Sequence, residues 1–351
     1  MASSVPTKPP TAADVATLAG VSKATATRAL GGYGRINEET KRRVLAAANQ
    51  LGYHPNAAAQ TMNTGRSGSL GIVARGITNP VWPVAFQGMV DAARLQGLAV
   101  LFAGSGFEVS EERKAIRLLL GKQVDGLIVS AADRRDVEHL QRITAVGTPL
   151  VLWERRVPGL DAPVIEADMR QASSELTRRL LDLGHRRIGF VSSLAMPQAA
   201  YSIGAELPAS IIQDKVEGLF TPFSEAGIAP PVDLVRFPER DRDAIAAAYH
   251  SLLDGPNPPT ALIASDSQIA ETMLDVVRSR GLRIPGEVSL AMYDDLSWAR
   301  LVDPPLTVIA QPDYDMGKCA AELAMNPAGA STLPSFSARL ILRGSVGRAQ
   351  D

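Results

Sequence analysis

Between Ser22 and Leu30 the sequence reads SKATATRAL, a short run that places Lys23, Thr25, Thr27 and Arg28 on the outward positions of one helix with no acid among them. Hydroxyls and cations in that arrangement suit phosphate oxygens and base edges. The residues before it supply a positioning element. Thr11 is a good N-cap, and Asp14 three residues later brings a carboxylate to the positive helix end, close to a capping box. Val15 and Leu18 share one face at helical spacing, Gly20 suits a left-handed stop, Val21 packs back, and Ser22 caps the second helix. Ala13, Ala16, Ala19, Ala26 and Ala29 allow close packing in an ordinary helical pair as well as in a DNA reader, so they do not discriminate. Charge does.

The chain has 36 Lys/Arg and 37 Asp/Glu, a formal net charge of −1. Residues 1–66 hold eight Lys/Arg against three acids, a net of +5, which leaves −6 for the rest. A basic head on an acidic body is the distribution expected of a nucleic-acid module joined to a sensor domain.

A third helix follows, capped by Asn37, carrying Glu38 and Glu39 in its first turn, ending at Leu51 and stopped by Gly52. Its expected buried stripe is Val44, Leu45, Ala48 and Leu51. Three helices in so short a stretch have a thin core. Residues 56–63 form a short segment of helix propensity leading to the flexible joint Gly65-Arg66-Ser67-Gly68. So short a helix is marginal alone and needs something to pack on. From Leu70 the pattern turns to apolar strands alternating with amphipathic helices: strands are expected at 70–74, 99–103, 126–130, 150–153, 187–192, 233–237, 261–264 and 289–293, with helices such as 82–96, 111–121, 171–183 and 241–253 between them. Such alternation predicts doubly wound parallel sheets, best divided into two subdomains with a ligand crevice at the strand carboxyl ends. Residues 193–210 show no period and read as a long loop.

At 46% hydrophobic residues, the 351-residue chain can bury at least two cores, and no apolar run reaches the roughly 20 residues of a membrane span. MASSVPTKPP lacks the apolar stretch of an export signal, so a cytoplasmic location is expected. The single cysteine, Cys319, rules out an internal disulfide and fits a reducing compartment. His54, His139, His185 and His250 are scattered without metal-ligand or triad spacing, so no metal, no cofactor and no catalytic residues are expected. Gly104-Ser105-Gly106 is not a phosphate-binding fingerprint.

An ordered series of motifs adds to this reading: DVATLAGVSKAT at 14–25, GYHPNAAA at 52–59, TGRSGSLGIV at 64–73, ITNP at 77–80, QVDGLIVS at 123–130, LGHRRIGFV at 183–191, RIPGEVSLAMYDD at 283–295, PPLTVIAQP at 304–312 and RGS at 343–345. Through them the chain resembles the lactose/galactose repressor (LacI/GalR) family of bacterial transcription regulators over roughly residues 11–346. The resemblance implies an all-α helix-turn-helix headpiece plus two α/β parallel-sheet subdomains of the periplasmic-binding-protein type, linked by three crossings. The expected division is a disordered N-terminus at 1–10, a headpiece at 11–55, and a hinge helix and linker at 56–66. One effector subdomain is then expected at 67–167 plus about 312–330, and the other at 168–311 plus about 333–346. It further implies a homodimer on a pseudo-palindromic operator, controlled by a small sugar, polyol or sugar acid.

By the same resemblance, Lys23, Ala24 and Arg28 read bases, while Thr11, Ser22, Thr25, Thr27, Asn37, Thr40 and Tyr53 touch phosphates. Asn56, Ala59 and Met62 match the hinge helix, whose apolar residue wedges into the minor groove; methionine replaces the usual leucine. In the effector cleft, Glu154 stands at a usual aspartate, Asp294 at the first aspartate of the YDD motif, Trp82 at an aromatic after ITNP, and Lys215 where an arginine is usual. Ser265 replaces a frequent asparagine, and Arg240 occupies a position often aromatic. Competing readings are a core role for Trp82, a solvated charge beside Asp241 and Asp243 for Arg240, and helix capping for Asp168 and Asp266. For Arg240 the solvated charge is favoured; for Asp168 and Asp266 ligand binding stands open beside capping. A transport solute-binding protein shares the body fold but would need an export signal and no basic headpiece. A sugar-modifying enzyme would need a catalytic constellation. The C-terminal RGSVGRAQD has no leucine heptad for a tetramerising tail.

Overall fold

The computed structural model describes residues 9–31, 34–54, 66–77, 79–196, 201–327 and 333–350. The chain forms two units, residues 1–68 and 69–351. Asn56, Ala59 and Met62 lie outside the described residues.

The first unit contains α1 (Ala12–Ala19), α2 (Lys23–Gly31) and α3 (Glu38–Leu51). Each boundary has a local cause. Thr11 and Asp14 form a full capping box: Asp14 N–H donates to Thr11 Oγ1 at 3.4 Å, and Thr11 N–H donates to the Asp14 carboxylate at 2.8 Å. Gly20 and Gly52 end their helices in the left-handed region at φ 65° and 62°. Ser22 Oγ accepts from Thr25 N at 3.1 Å, and Asn37 Oδ1 from Thr40 N at 2.7 Å. Val15 and Val44 are fully buried, ringed by Ala16, Ala19, Ala26, Ala29, Ala47 and Ala48. Two expected core leucines lie outside this centre: Leu18 is 46% exposed and Leu45 43%. Alanine contacts leave an interior narrow enough to be filled by two valines, so a leucine one step round the helix reaches only its margin. Ala47 is buried in place of Leu45.

The second unit holds two sheets. One is parallel throughout, in the order β2-β1-β3-β4-β5, from β1 (Ser69–Ala74), β2 (Ala99–Gly104), β3 (Gly126–Val129), β4 (Leu150–Trp153) and β5 (Val164–Ile165). The other is ordered β11-β10-β9-β8-β6-β7, from β6 (Ile188–Val191), β7 (Val235–Arg236), β8 (Ala261–Ala264), β9 (Ser289–Tyr293), β10 (Thr307–Ala310) and β11 (Arg339–Ile341). Only β11 runs antiparallel to its neighbour. Eight of these strands coincide, within a few residues, with the expected ones; β5, β10 and β11 are additional. No helix or strand occurs among the described residues between 193 and 209.

The chain passes between the sheets after β5, after β10 and before β11, and a bridge between Ala167 and Phe336 ties two of these passages together. After β10, helix Asp313–Met325 returns to pack on helix Val81–Leu95. Their closeness depends on glycine: a Cβ at Gly317 would lie 2.0 Å from Ala85 O, and one at Gly88 2.1 Å from Tyr314 O. These passages bring the carboxyl ends of both sets of strands to face one cleft.

Candidate functional site

On the first unit, Lys23, Ala24 and Arg28 are exposed on α2, while Thr25 and Thr27 are half-buried beside them. Arg28 Nε donates to Ala24 O at 3.3 Å, which holds the guanidinium along its own helix. The Ser22 and Thr25 hydroxyls share a 2.9 Å hydrogen bond, so one of the two protons stays available to an outside acceptor. The Thr27 hydroxyl donates to Lys23 O at 2.9 Å. Thr11 and Asn37 are both engaged as caps, Thr40 N–H is taken by Asn37, and Tyr53 packs against the small core. The face contains a cationic edge, hydroxyls and helix starts, a combination suited to a polyanion.

In the second unit, Trp82, Glu154, Lys215, Ser265 and Asp294 converge on one cavity, which is also lined by Arg75, Asn79, Trp153, Ser193, Asp266 and Gln311. Nearly all of these sit just beyond a strand end or at a helix start, where open α/β sheets place ligands. Glu154 directly follows β4 and Asp294 directly follows β9, and both adopt positive φ, 56° and 78°. A side chain in that region costs of order 1–3 kcal/mol, and such strain concentrates at functional sites. Two carboxylates on separate sheets are thus turned inward at a conformational cost. Trp82 and Trp153 add an apolar wall, their ring centroids 5.6 Å apart. Trp82 is buried in the core as well as lining the cavity, so its packing and lining roles coexist.

Lys215 Nζ donates to Ser265 O at 2.9 Å and lies 4.1 Å from the Tyr293 ring centroid. Burial pushes its pKa down, against the pull of Asp294 and Glu154. Burial pushes Asp294 up to about 7, opposed by Lys215 and reinforced by Asp266 and Glu154. Asp294 also accepts from Ser267 N at 3.3 Å, at the start of helix Ser267–Ser279. Asp168 and Asp266 both cap helices, one of the two roles open to them from sequence, and Asp266 lines the cavity too.

Arg240 does not line that cavity. Its exposed guanidinium lies 3.4 Å from the centroid of the Phe107 ring and donates from Nε to Ser193 O at 3.2 Å. Arg240 is a solvated charge as expected, but it does not pair with Asp241 or Asp243: among the described residues it forms no ion pair, and Asp241 is occupied as a cap by Ala244 N. Stacking on an aromatic face fixes the guanidinium instead.

Sequence reasoning passed over Arg75, Gln311 and Asp313. Gln311 Nε2 bridges Glu154 Oε1 at 2.7 Å and Asp313 Oδ1 at 2.8 Å, which joins the two sides of the cleft. Burial, reinforced by Glu154 and Asp294, pushes Asp313 up to about 8. The available signal was position: Arg75 follows the apolar run of β1, and Gln311 ends the apolar run of β10. Among the described residues no group of three His, Cys, Asp or Glu could hold a metal, and no helix is long and apolar enough to cross a membrane.

Comparison with known proteins agrees with both halves of this geometry. Residues 11–56 match the family model for bacterial regulatory proteins of the lacI family, and residues 177–346 match that of a periplasmic binding protein-like domain. The chain is 31% identical over 337 residues to the HTH-type transcriptional regulator GalR of Escherichia coli K12, covering 95% of this chain and 94% of that one. Among solved structures, a CelR–cellobiose complex is similar at 26% identity with a TM-score of 0.67, covering 96% of this chain and 100% of CelR. The lac repressor dimer bound to operator and the anti-inducer ONPF shares the fold at TM-score 0.80 and 21% identity, covering 96% of this chain and 99% of its own. With a basic helix-turn-helix unit ahead of a two-sheet ligand-binding body, and with relatives matched over nearly their whole length, the chain belongs to the lacI family of bacterial transcriptional regulators.

Proposed function

We propose that this regulator is a repressor that binds a pseudo-palindromic operator as a homodimer in the cytoplasm, and that a small polyhydroxylated ligand in the cleft sets its operator affinity. Lys23, Ala24 and Arg28 read base edges, and the hydroxyl-bearing and capping residues around them hold phosphates. The cleft binds its ligand without turning it over. The observation that carries this reading is the convergence of Glu154 and Asp294, both at positive φ and from different sheets, on one cavity with Lys215 and a tryptophan wall. Carboxylates accept from sugar hydroxyls, an ammonium donates to them, and an indole face covers the apolar side of a ring. The solved cellobiose complex of the similar CelR supports a sugar as ligand class. Residues 67–167 with about 312–330 would form one subdomain and 168–311 with about 333–346 the other. Ligand contacts to both change their relation and so bias the hinge at residues 56–66. A coupling of about 1–3 kcal/mol changes operator affinity about 5–150-fold.

The test uses the full chain and an operator selected from random duplexes. Glu154→Ala and Asp294→Ala proteins should bind the operator like wild type but lose the ligand response, read by fluorescence anisotropy at increasing ligand. Wild-type ligand affinity in both, measured by calorimetry, removes these residues from the site.

A further inference from the structure

Among the described residues, the buried and half-buried arginines of the second unit find hydrogen-bond or ion-pair partners, with Arg75 as the exception. Arg155 is buried but donates to Ala131 O and Ala132 O, Arg156 pairs with Glu166 and Asp214, and Arg343 pairs with Asp295. Arg75 differs. It is half-buried, its Nε is closed off from solvent without a hydrogen-bond partner, and among the described residues no carboxylate pairs with it. The nearby acids are already engaged: Asp266 accepts two helix-start N–H groups and the Ser265 hydroxyl, and Glu154 accepts from Gln311. Arg240 adds a second cation against the same ring, with Arg75 Cζ 5.2 Å and Arg240 Cζ 3.4 Å from the Phe107 centroid. Phe107 follows β2 on one side of the cleft and Arg240 follows β7 on the other, so the pair spans the mouth. Burial, and then the nearby Arg75 charge, bring the Arg240 guanidinium down to about 10, against the pull of Glu108 and Glu239. The hollow beside Phe107 shares Arg75, Asn79, Trp82, Ser193 and Asp266 with the inner cavity, so a single molecule reaches both.

We infer that the ligand is an acidic sugar derivative whose oxyanion, a carboxylate or a phosphate, is held between Arg75 and Arg240 at the mouth of the cleft while its hydroxyls reach Glu154, Asp294 and Lys215. This rests on the cleft reading above and narrows it. An oxyanion pairs with the terminal guanidinium nitrogens of Arg75, which no carboxylate among the described residues holds, and relieves the repulsion of two guanidiniums on one ring. Planar guanidinium forks suit both oxyanions. Neutral sugars satisfy the inner residues alone and leave the mouth unpaired.

The test measures binding to the full chain by calorimetry at fixed ionic strength, using glucose, galactose and ribose, their aldonic and uronic acids, their phosphate monoesters, and inorganic phosphate. Acids or phosphate esters should bind at least about tenfold more tightly than their neutral parents. That advantage should vanish in the Arg75→Gln/Arg240→Gln double variant, whose folding is checked by circular dichroism. The carboxylate and phosphate arms decide which oxyanion is used. Neutral sugars binding as tightly as their charged counterparts overturn the inference. So does the absence of any probe, inorganic phosphate included, that prefers wild type to the double variant. The two readings fail separately: a neutral sugar lost in Glu154→Ala keeps the cleft and removes the oxyanion. Anion binding lost in the arginine variant but indifferent to Glu154→Ala and Asp294→Ala keeps the oxyanion and removes the cleft.

Discussion

The two units of this molecule solve the positioning of functional side chains in opposite ways. In the first, the residues that face outward lie within a few dozen positions of one another, on helices whose ends are set by neighbours three or four residues away. Two valines and a ring of alanines are enough to hold them. In the second, Arg75, Glu154, Lys215, Asp294 and Gln311 come from across the sequence and meet only because two sheets present their strand ends to one cleft. Their core is correspondingly large, with Trp153, Tyr249, Tyr293, Phe190 and Phe223 fully buried. Exposed, local chemistry survives on a thin core; buried, convergent chemistry requires a rigid one.

The sharpest way to break this contrast is Gly317→Val. A β-branched side chain where a Cβ already meets Ala85 O at 2.0 Å forces helices Val81–Leu95 and Asp313–Met325 apart. The expected cost is about 3 kcal/mol of stability in the second unit, seen as a lower first melting transition with ligand response lost. A calorimetric trace with unchanged melting in Gly317→Val would show that the close approach is not required.

Arg28→Ala comes next. It removes an exposed guanidinium and leaves both cores intact, so melting should stay within about 0.5 kcal/mol of wild type. Operator affinity should fall by about 1–3 kcal/mol, with relaxed preference at one base position. Equal affinities of variant and wild type for operator and for random duplex would exclude Arg28 from base reading.

The smallest expected effect tests the electrostatics of the cleft. Asp313 is raised to about 8, so the native state keeps a proton that the unfolded chain loses near its ordinary carboxylate value. The stability from that proton is complete below the unfolded pKa and is lost as pH rises toward about 8. Asp313→Asn removes the titration while keeping an oxygen for Gln311. Its melting temperature should therefore gain on wild type by a few degrees between pH 5 and pH 8.5. A constant gap across that range would show that Asp313 is ionised throughout in the native protein.

Legibility in the sequence follows the same division. Thr11, Asp14, Gly20, Ser22, Asn37 and Gly52 carry their structural roles in their own side chains or backbone freedom, and each helix end falls where these residues place it. The strands buried on both faces, such as β3, β4 and β8, show as continuous apolar runs. The two-residue β5 is too short to carry a period, and the edge strand β11 is only partly buried and antiparallel, so neither announces itself. Leu18 and Leu45 had the right period but fell outside a core whose width was set by three helices at once.

At the cleft, sequence patterns pointed to Trp82, Glu154, Lys215, Ser265 and Asp294, and the structure gathers these in one cavity. Arg75, Gln311 and Asp313 carry no local signature. An arginine after an apolar strand reads as a surface charge until its surroundings show that no partner reaches its Nε. By itself, then, the sequence determined the helix ends, the alternation of strands and helices, and the basic character of the first unit, because caps, periodicity and net charge act over a few residues. Only the tertiary structure decided which strand ends share a cleft, which carboxylates are strained into it, and which cations are left unpaired at its mouth. Burial and pairing depend on groups brought together by the crossings between sheets, and no stretch of chain contains them.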